Sequence, residues 1–226
     1  MKSEKILKNS QYSKMRGKLH EKIVKNHARY LDRVEFYLQH GYNLEKERIA
    51  ILEHAKPIHG PILEIGTGKG HFALILAKKK YQFTSIDLSA EDIEITWLNL
   101  AYKGLQTFAD LKVQDAEQLS FFDKSFNLIF SINVLHHLLR PYIVLEEMIR
   151  VLLPTGKIVV SDFTEEGMEI VNGCHVAEGR RHVPSGFHIH QVEVYFINRG
   201  FTVNKFTSRC QHTLIIQRVR SRIKND

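Results

Sequence analysis

Three glycines stand at alternate positions, Gly66, Gly68 and Gly70, beginning two residues after the carboxyl of Glu64. An apolar run (Ile62, Leu63, Ile65) leads into them and a helical apolar pattern, Phe72 to Ala77, follows at once. This is the order strand, glycine-rich turn, helix. Glycine permits backbone angles closed to other residues and lets a ligand lie on the main chain itself. The new helix adds unsatisfied N–H groups and the positive end of its dipole. Asp87 lies 21 residues beyond Gly66, at the end of the β-rich run Tyr81–Leu88. A carboxylate there suits the two ribose hydroxyls of a nucleoside resting on the turn. Asp87 does not by itself say which nucleoside cofactor rests there, and a surface Asp capping the following helix is the plain alternative.

A second set of chemically able residues sits later in the chain. His136 and His137 follow a presumed strand and are the candidate catalytic bases. Five of the thirteen histidines (His175, His182, His188, His190 and His212) fall between 175 and 212, with both cysteines, Cys174 and Cys210, in or beside that window. Thiolate and imidazole are ligands that zinc and related soft metals prefer. Cys174, His175, His188, Cys210 and His212 are therefore a candidate metal set. Their spacing matches no C-x-x-C or H-x-x-x-H signature. A metal-free pocket using its histidines as bases, and unrelated surface and core histidines, stay open beside it.

These residues need a scaffold. Residues 1–56 read as helices, with apolar residues at helical spacing in Tyr30–Leu38 and a second helix from Leu44 to about His54, ended by Pro57. Tyr12, Tyr30 and Tyr37 are candidates to line a pocket. A helix is predicted over Glu91–Lys103, strands at Leu111–Val113 and Ser125–Phe130, and a helix over Tyr142–Leu152. A turn at Leu153–Lys157 leads to a strand at Ile158–Phe163, then a polar loop over 164–189. A helix over His190–Arg199 and two closing strands, Phe201–Phe206 and His212–Gln217, complete the order. In an open α/β sheet ligands bind outside the carboxyl ends of the strands. Gly66–Gly70, Asp87, Asp115, Ser131–His137 and Asp162 all fall at such ends.

The pattern Glu64-x-Gly66-x-Gly68-x-Gly70 resembles motif I of the class I S-adenosylmethionine-dependent methyltransferases, and the segment Ser131–Leu138 looks like the post-strand-four segment of the small-molecule, ubiquinone-biosynthesis type. The likeness covers about residues 60–218, with Asn127 standing where many relatives carry Asp. It implies an α/β fold: a doubly wound, seven-stranded, mostly parallel sheet with an antiparallel last strand. It also implies a helical cap (1–56), a cofactor-binding domain (57–218) whose 164–189 loop faces the acceptor, and a basic tail (219–226). The resemblance places the cofactor on Glu64, Gly66, Thr67, Gly68, Gly70, Asp87, Leu88, Asp115 and Ala116, with Asp115 on the adenine side and Ser131 and Asn133 near the methyl. The expected acceptor is a small molecule. The tetrapeptide by which enzymes grip a planar amine is absent after strand four, which lowers a nucleic-acid amine as acceptor.

The net charge of +7 resides in residues 1–29, which hold nine Lys or Arg against Glu4 and Glu21; the remainder is balanced. This arm is read as a solvated helical face beside a site for a small anion. The rival is an RNA methyltransferase gripping phosphate with it. A non-catalytic nucleoside or metal sensor and a nicotinamide-dependent oxidoreductase are further alternatives; the tight glycine spacing and the antiparallel last strand count against the oxidoreductase. No run reaches the length of a membrane span and MKSEKILKNS has no apolar signal core, so the expectation is a cytoplasmic protein with no membrane partner.

Overall fold

The glycine turn joins β1 (Ile62–Ile65) to α3 (His71–Lys78) in a computed structural model that describes residues 2–179 and 185–219. Before it run α1 (Lys2–Gln39) and α2 (Leu44–His54). After it come β2 (Phe83–Asp87), α4 (Ala90–Tyr102), β3 (Ala109–Val113), β4 (Phe126–Ile132), α5 (Pro141–Val151) and β5 (Leu152–Phe163). The chain continues through α6 (Glu165–Ala177), α7 (Ile189–Asn198), β6 (Phe201–Thr207) and β7 (Gln211–Arg218).

The seven strands lie in the order β3-β2-β1-β4-β5-β7-β6, all parallel except β7, which pairs antiparallel with β5 and β6. All four residues of β1 are buried, including Glu64, as expected of a strand covered on both faces. Its side chains alternate between two cores. Leu63 and Ile65 join Ile129, Val160 and Leu214 beneath α5 and α7, whereas Ile62 joins Leu128, Phe130 and Val159 beneath α2 and α3. From β1 the chain builds outward through β2 and β3, then returns to place β4 on the other flank of β1. That reversal opens a crevice between the carboxyl ends of β1 and β4.

Three expectations need correction. The polar loop over 164–189 contains a helix, α6. Thr164 caps it by accepting from the Gly167 N–H at 3.1 Å, and Glu165 and Glu166 occupy the first turn, where the dipole favours acids. Gly167 weakens the helix pattern for a packing reason: a Cβ there would lie 2.3 Å from the Cys210 carbonyl oxygen. The Leu153–Lys157 turn is an irregularity within β5, where the register with β4 slips between Phe126↔Leu152 and Leu128↔Lys157. The N-terminal helical pattern is one continuous helix, α1, of 38 residues. His182, the tail beyond 219 and the side chain of Tyr12 lie outside the described residues.

The cap is fastened at several points. Tyr42 is 1% exposed and its hydroxyl accepts from Gln211 Nε2 at 2.9 Å; Ser208 Oγ donates to Glu47 at 2.6 Å. Two cations of α1 are taken up by neighbouring helices, Lys22 by Glu94 of α4 and Arg33 by Glu178 just past α6. Among the described residues no helix is long and apolar enough to cross a membrane.

Candidate active site

All three turn glycines have positive φ: +79° at Gly66, +50° at Gly68 and +78° at Gly70. Two of them are also close-packed. A Cβ on Gly66 would sit 2.3 Å from Val134 Cγ2, and one on Gly70 would sit 2.8 Å from Thr96 Oγ1. Gly68 differs, since nothing lies within 4 Å of its Cβ position. The space over its Cα is therefore open, while its N–H donates to Asp87 and its carbonyl accepts from Thr96 Oγ1. The turn is tied to β2 by Gly66 N and Thr67 N, which both donate to Ile86 O at 2.8 and 3.0 Å. Asp87 Oδ2 accepts from Gly68 N at 2.9 Å and its Oδ1 from Ser89 N at 3.0 Å.

Asp87 and Leu88 thus stand directly beside the turn, and Leu88 is 72% exposed, an unusual state for leucine after a buried strand. Gln114 N donates to Asp87 O at 3.0 Å, which brings the end of β3 alongside. Asp115 there accepts from Glu117 N at 2.9 Å, and Ala116 packs against the core. Glu64 behaves differently from a surface acid. It is 2% exposed, accepts from Ser85 Oγ at 2.6 Å and from Thr67 Oγ1 at 3.5 Å, and burial raises its pKa to about 8 in spite of those bonds. It therefore carries a proton at neutral pH.

Across the crevice, Asn133 adopts φ +59° at the end of β4, and its N–H donates to Ser161 O at 2.7 Å. Neither its side-chain Oδ1 nor Ser131 Oγ has a hydrogen-bond partner among the described residues. Next along the chain, His136 Nδ1 lies 2.7 Å from Asp162 Oδ1, and both side chains are buried. Asn133, His136, His137 and His175 line a cavity of about 160 Å³ together with the glycine turn and the cap residues Tyr37, Tyr42 and Arg48. A larger cavity of about 660 Å³ adjoins it between α1, α4 and α6, sharing Arg33, Lys69 and His71. Burial pushes the His71 imidazole down to about 3, so it is neutral. The Asp162 partner of His136 and the cavity positions of Arg48, Tyr42 and His71 were not legible from the sequence, because each depends on which face of an element turns inward.

The candidate metal set is not gathered. Cys174 and Cys210 are buried in a small apolar cluster with Tyr37, Tyr42 and Val171. His212 Nδ1 lies 2.9 Å from Thr207 Oγ1, and His188 is exposed at the start of α7. Among the described residues no group of three or more His, Cys, Asp or Glu is placed to hold a metal ion. The two cysteines pack there, and Cys174 also engages the Tyr37 hydroxyl.

Residues 63–160 match the family described as a methyltransferase domain. That segment is similar to class I methyltransferase domains. The ubiquinone/menaquinone biosynthesis C-methyltransferase of Geotalea daltonii is 29% identical over 138 residues, 60% of this chain and 57% of that one. The phosphatidylethanolamine N-methyltransferase of Cereibacter sphaeroides is 28% identical over 116 residues, 51% of this chain and 57% of that one. The chain spans about half the length of the curated relatives it matches. Among solved structures, the PH0226 protein from Pyrococcus horikoshii superposes with a TM-score of 0.66 at 18% identity, over 84% of this chain and 92% of that one. A SAM-dependent methyltransferase from Aquifex aeolicus superposes with a TM-score of 0.61 at 20% identity, over 76% of this chain and 89% of that one, and so shares the fold. The matched segment contains the glycine turn, Asp87, Asp115, Asn133 and His136, whereas the cap and α6 lie outside it.

Proposed function

We propose that the protein transfers a methyl group from S-adenosylmethionine to a small-molecule acceptor. The observation that carries this reading is the open space over the Cα of Gly68 next to Asp87, with the cavity and its unpaired Asn133 oxygen across the crevice. The residues suit the cofactor. The bare turn takes the nucleoside's body, Asp87 the ribose hydroxyls, the exposed Leu88 one face of the adenine and Asp115 its amino group. Ser131 and Asn133 border the reacting end.

When bound, S-adenosylmethionine supplies a methyl carbon already activated by positive sulfur. The chain's own task is alignment, exclusion of water and removal of a proton. His136 is the base of this reading. Asp162 accepts from its Nδ1–H, which leaves the basic lone pair on Nε2. The cap residues Tyr37, Tyr42 and Arg48 form part of the cavity wall. The ion pairs Lys22–Glu94 and Arg33–Glu178 spend charge of α1 within the fold, which favours a small acceptor over a polyanion.

Two measurements test the reading. Calorimetry should give one site for S-adenosylhomocysteine and no heat with NAD. Labelled methyl from S-adenosylmethionine should enter a small-molecule fraction and not RNA. Binding without transfer to any acceptor would return the sensor alternative, and transfer to RNA would return the basic-arm alternative.

A further inference from the structure

Arg33, Lys69 and His71 are the three residues common to the small cavity and the larger one beside it. They form a neck between the space lined by His136, His137 and His175 and the cavity of about 660 Å³ under α1. A cavity of that size takes a drug-sized molecule, and the rings of Tyr30 and Phe36 are among its walls. The neck is electropositive. The charges of Arg48, Arg33 and Lys69 add to burial in holding the His71 imidazole neutral. Nearby acids are engaged, Glu178 by Arg33 Nε and Nη2 and Asp92 by Lys69. Glu64, on the wall of the small cavity, carries a proton at neutral pH. Arg29, Asp32 and Glu91 stand at the exposed rim of the larger cavity. Donors remain unspent at the neck: among the described residues Arg33 Nη1 bonds to nothing, and neither ring nitrogen of His71 has a partner.

Such a neck favours negative charge and repels positive charge. An oxygen acid placed there gives up its proton more readily, whereas an ammonium is disfavoured. We infer that the neck seats an acidic oxygen of the methyl acceptor, a phenol, enol or carboxyl group, with the rest of the molecule in the larger cavity. This rests on the function proposed above and deepens it by naming the class of acceptor. The acceptor oxygen supplies the electron pair for the new oxygen–methyl bond, and the pair of the broken carbon–sulfur bond stays on sulfur as a thioether. A hydroxyl that arrives protonated passes its proton to His136 Nε2; a carboxylate has none to pass.

The phenolate of para-nitrophenol is read directly by absorbance, so this probe tests the neck without turnover. On the wild-type protein with saturating S-adenosylhomocysteine, the probe's ionisation constant should rise about tenfold or more. The para-nitrobenzylammonium ion, similar in shape and opposite in charge, should bind at least about tenfold more weakly than the phenol. Arg33→Met should abolish most of the rise, and Glu178→Gln, which removes the acid offsetting Arg33, should enlarge it. An unchanged ionisation constant in the wild type, or an ammonium that binds as tightly as the phenol, overturns the inference; neither comparison needs a variant to fold. A rise that persists in folded Arg33→Met overturns it too. If S-adenosylhomocysteine binds while the phenol is unaffected, the proposed function stands without this class of acceptor. If S-adenosylhomocysteine itself fails to bind, the function and the inference fall together.

Discussion

His136 and Asp162 are joined twice: the imidazole Nδ1 lies 2.7 Å from Oδ1, and the His136 backbone N–H donates to Oδ2 at 3.2 Å. One carboxylate thereby fixes both the ring and the main chain of the residue that follows β4. The pair lies at the carboxyl ends of the adjacent strands β4 and β5, and His136 lines the small cavity.

If His136 is the base, His136→Gln should lower the methyl-transfer rate by about 10²–10⁴-fold, the usual contribution of a positioned base. Affinity for S-adenosylhomocysteine should stay within about threefold of the wild type. Asp162→Asn should lower the rate in the same direction by disturbing the tautomer. Rate assays beside calorimetry check both, and an unchanged rate in His136→Gln excludes the base.

Glu64 makes stability depend on pH. Burial raises its pKa from an ordinary 4.5 to about 8 in the folded protein. Between those values the folded state keeps a proton that the unfolded state has released. Its stabilising contribution is therefore complete below about pH 4.5 and is lost as pH rises towards 8. Denaturant midpoints from pH 5 to 8 should fall more steeply for the wild type than for Glu64→Gln, which cannot ionise. Parallel curves would contradict this.

Tyr42→Phe keeps the ring among Tyr37 and Phe163 but removes the hydroxyl that accepts from Arg48 and Gln211. Leaving buried donors unmet costs about 1–3 kcal/mol. Chemical denaturation should register that loss. A change under about 0.5 kcal/mol would mean that the cap is not held through this oxygen.

The glycines of the turn should separate by role. Gly66→Ala drives a Cβ to 2.3 Å from Val134 and should cost both folding stability and binding. Gly68→Ala meets no protein atom within 4 Å, so its stability cost is confined to left-handed backbone, about 1–2 kcal/mol. Its main effect should fall on cofactor affinity. Melting curves and titrations on the two variants distinguish these outcomes.

The sheet and the glycine turn were legible because their signals are local. Ile62–Ile65 and Leu44–His54 coincide with the predicted strand and helix, and Asn127, the departure from the family pattern, faces away from the chemistry and donates to His59 O at 3.2 Å. The metal set misled because proximity in sequence says nothing about which side chains turn the same way. The cysteines of α6 and of the β6–β7 turn enter one apolar seam, while His188 and His212 point elsewhere. α6 itself was hidden by Gly167 and Gly173, residues poor in helices; Gly167 is there because the Cys210 backbone leaves no room. Arg48 was illegible for a related reason. In a helix carrying Glu45, Lys46 and Glu47, nothing local marks the one charge that is buried.

The most direct test is a calorimetric titration of S-adenosylhomocysteine into the wild type and Asp87→Ala. A nucleoside held by Asp87 on the glycine turn predicts one site in the wild type and a loss of about 1–3 kcal/mol in the variant. Equal dissociation constants for the two proteins would contradict that placement.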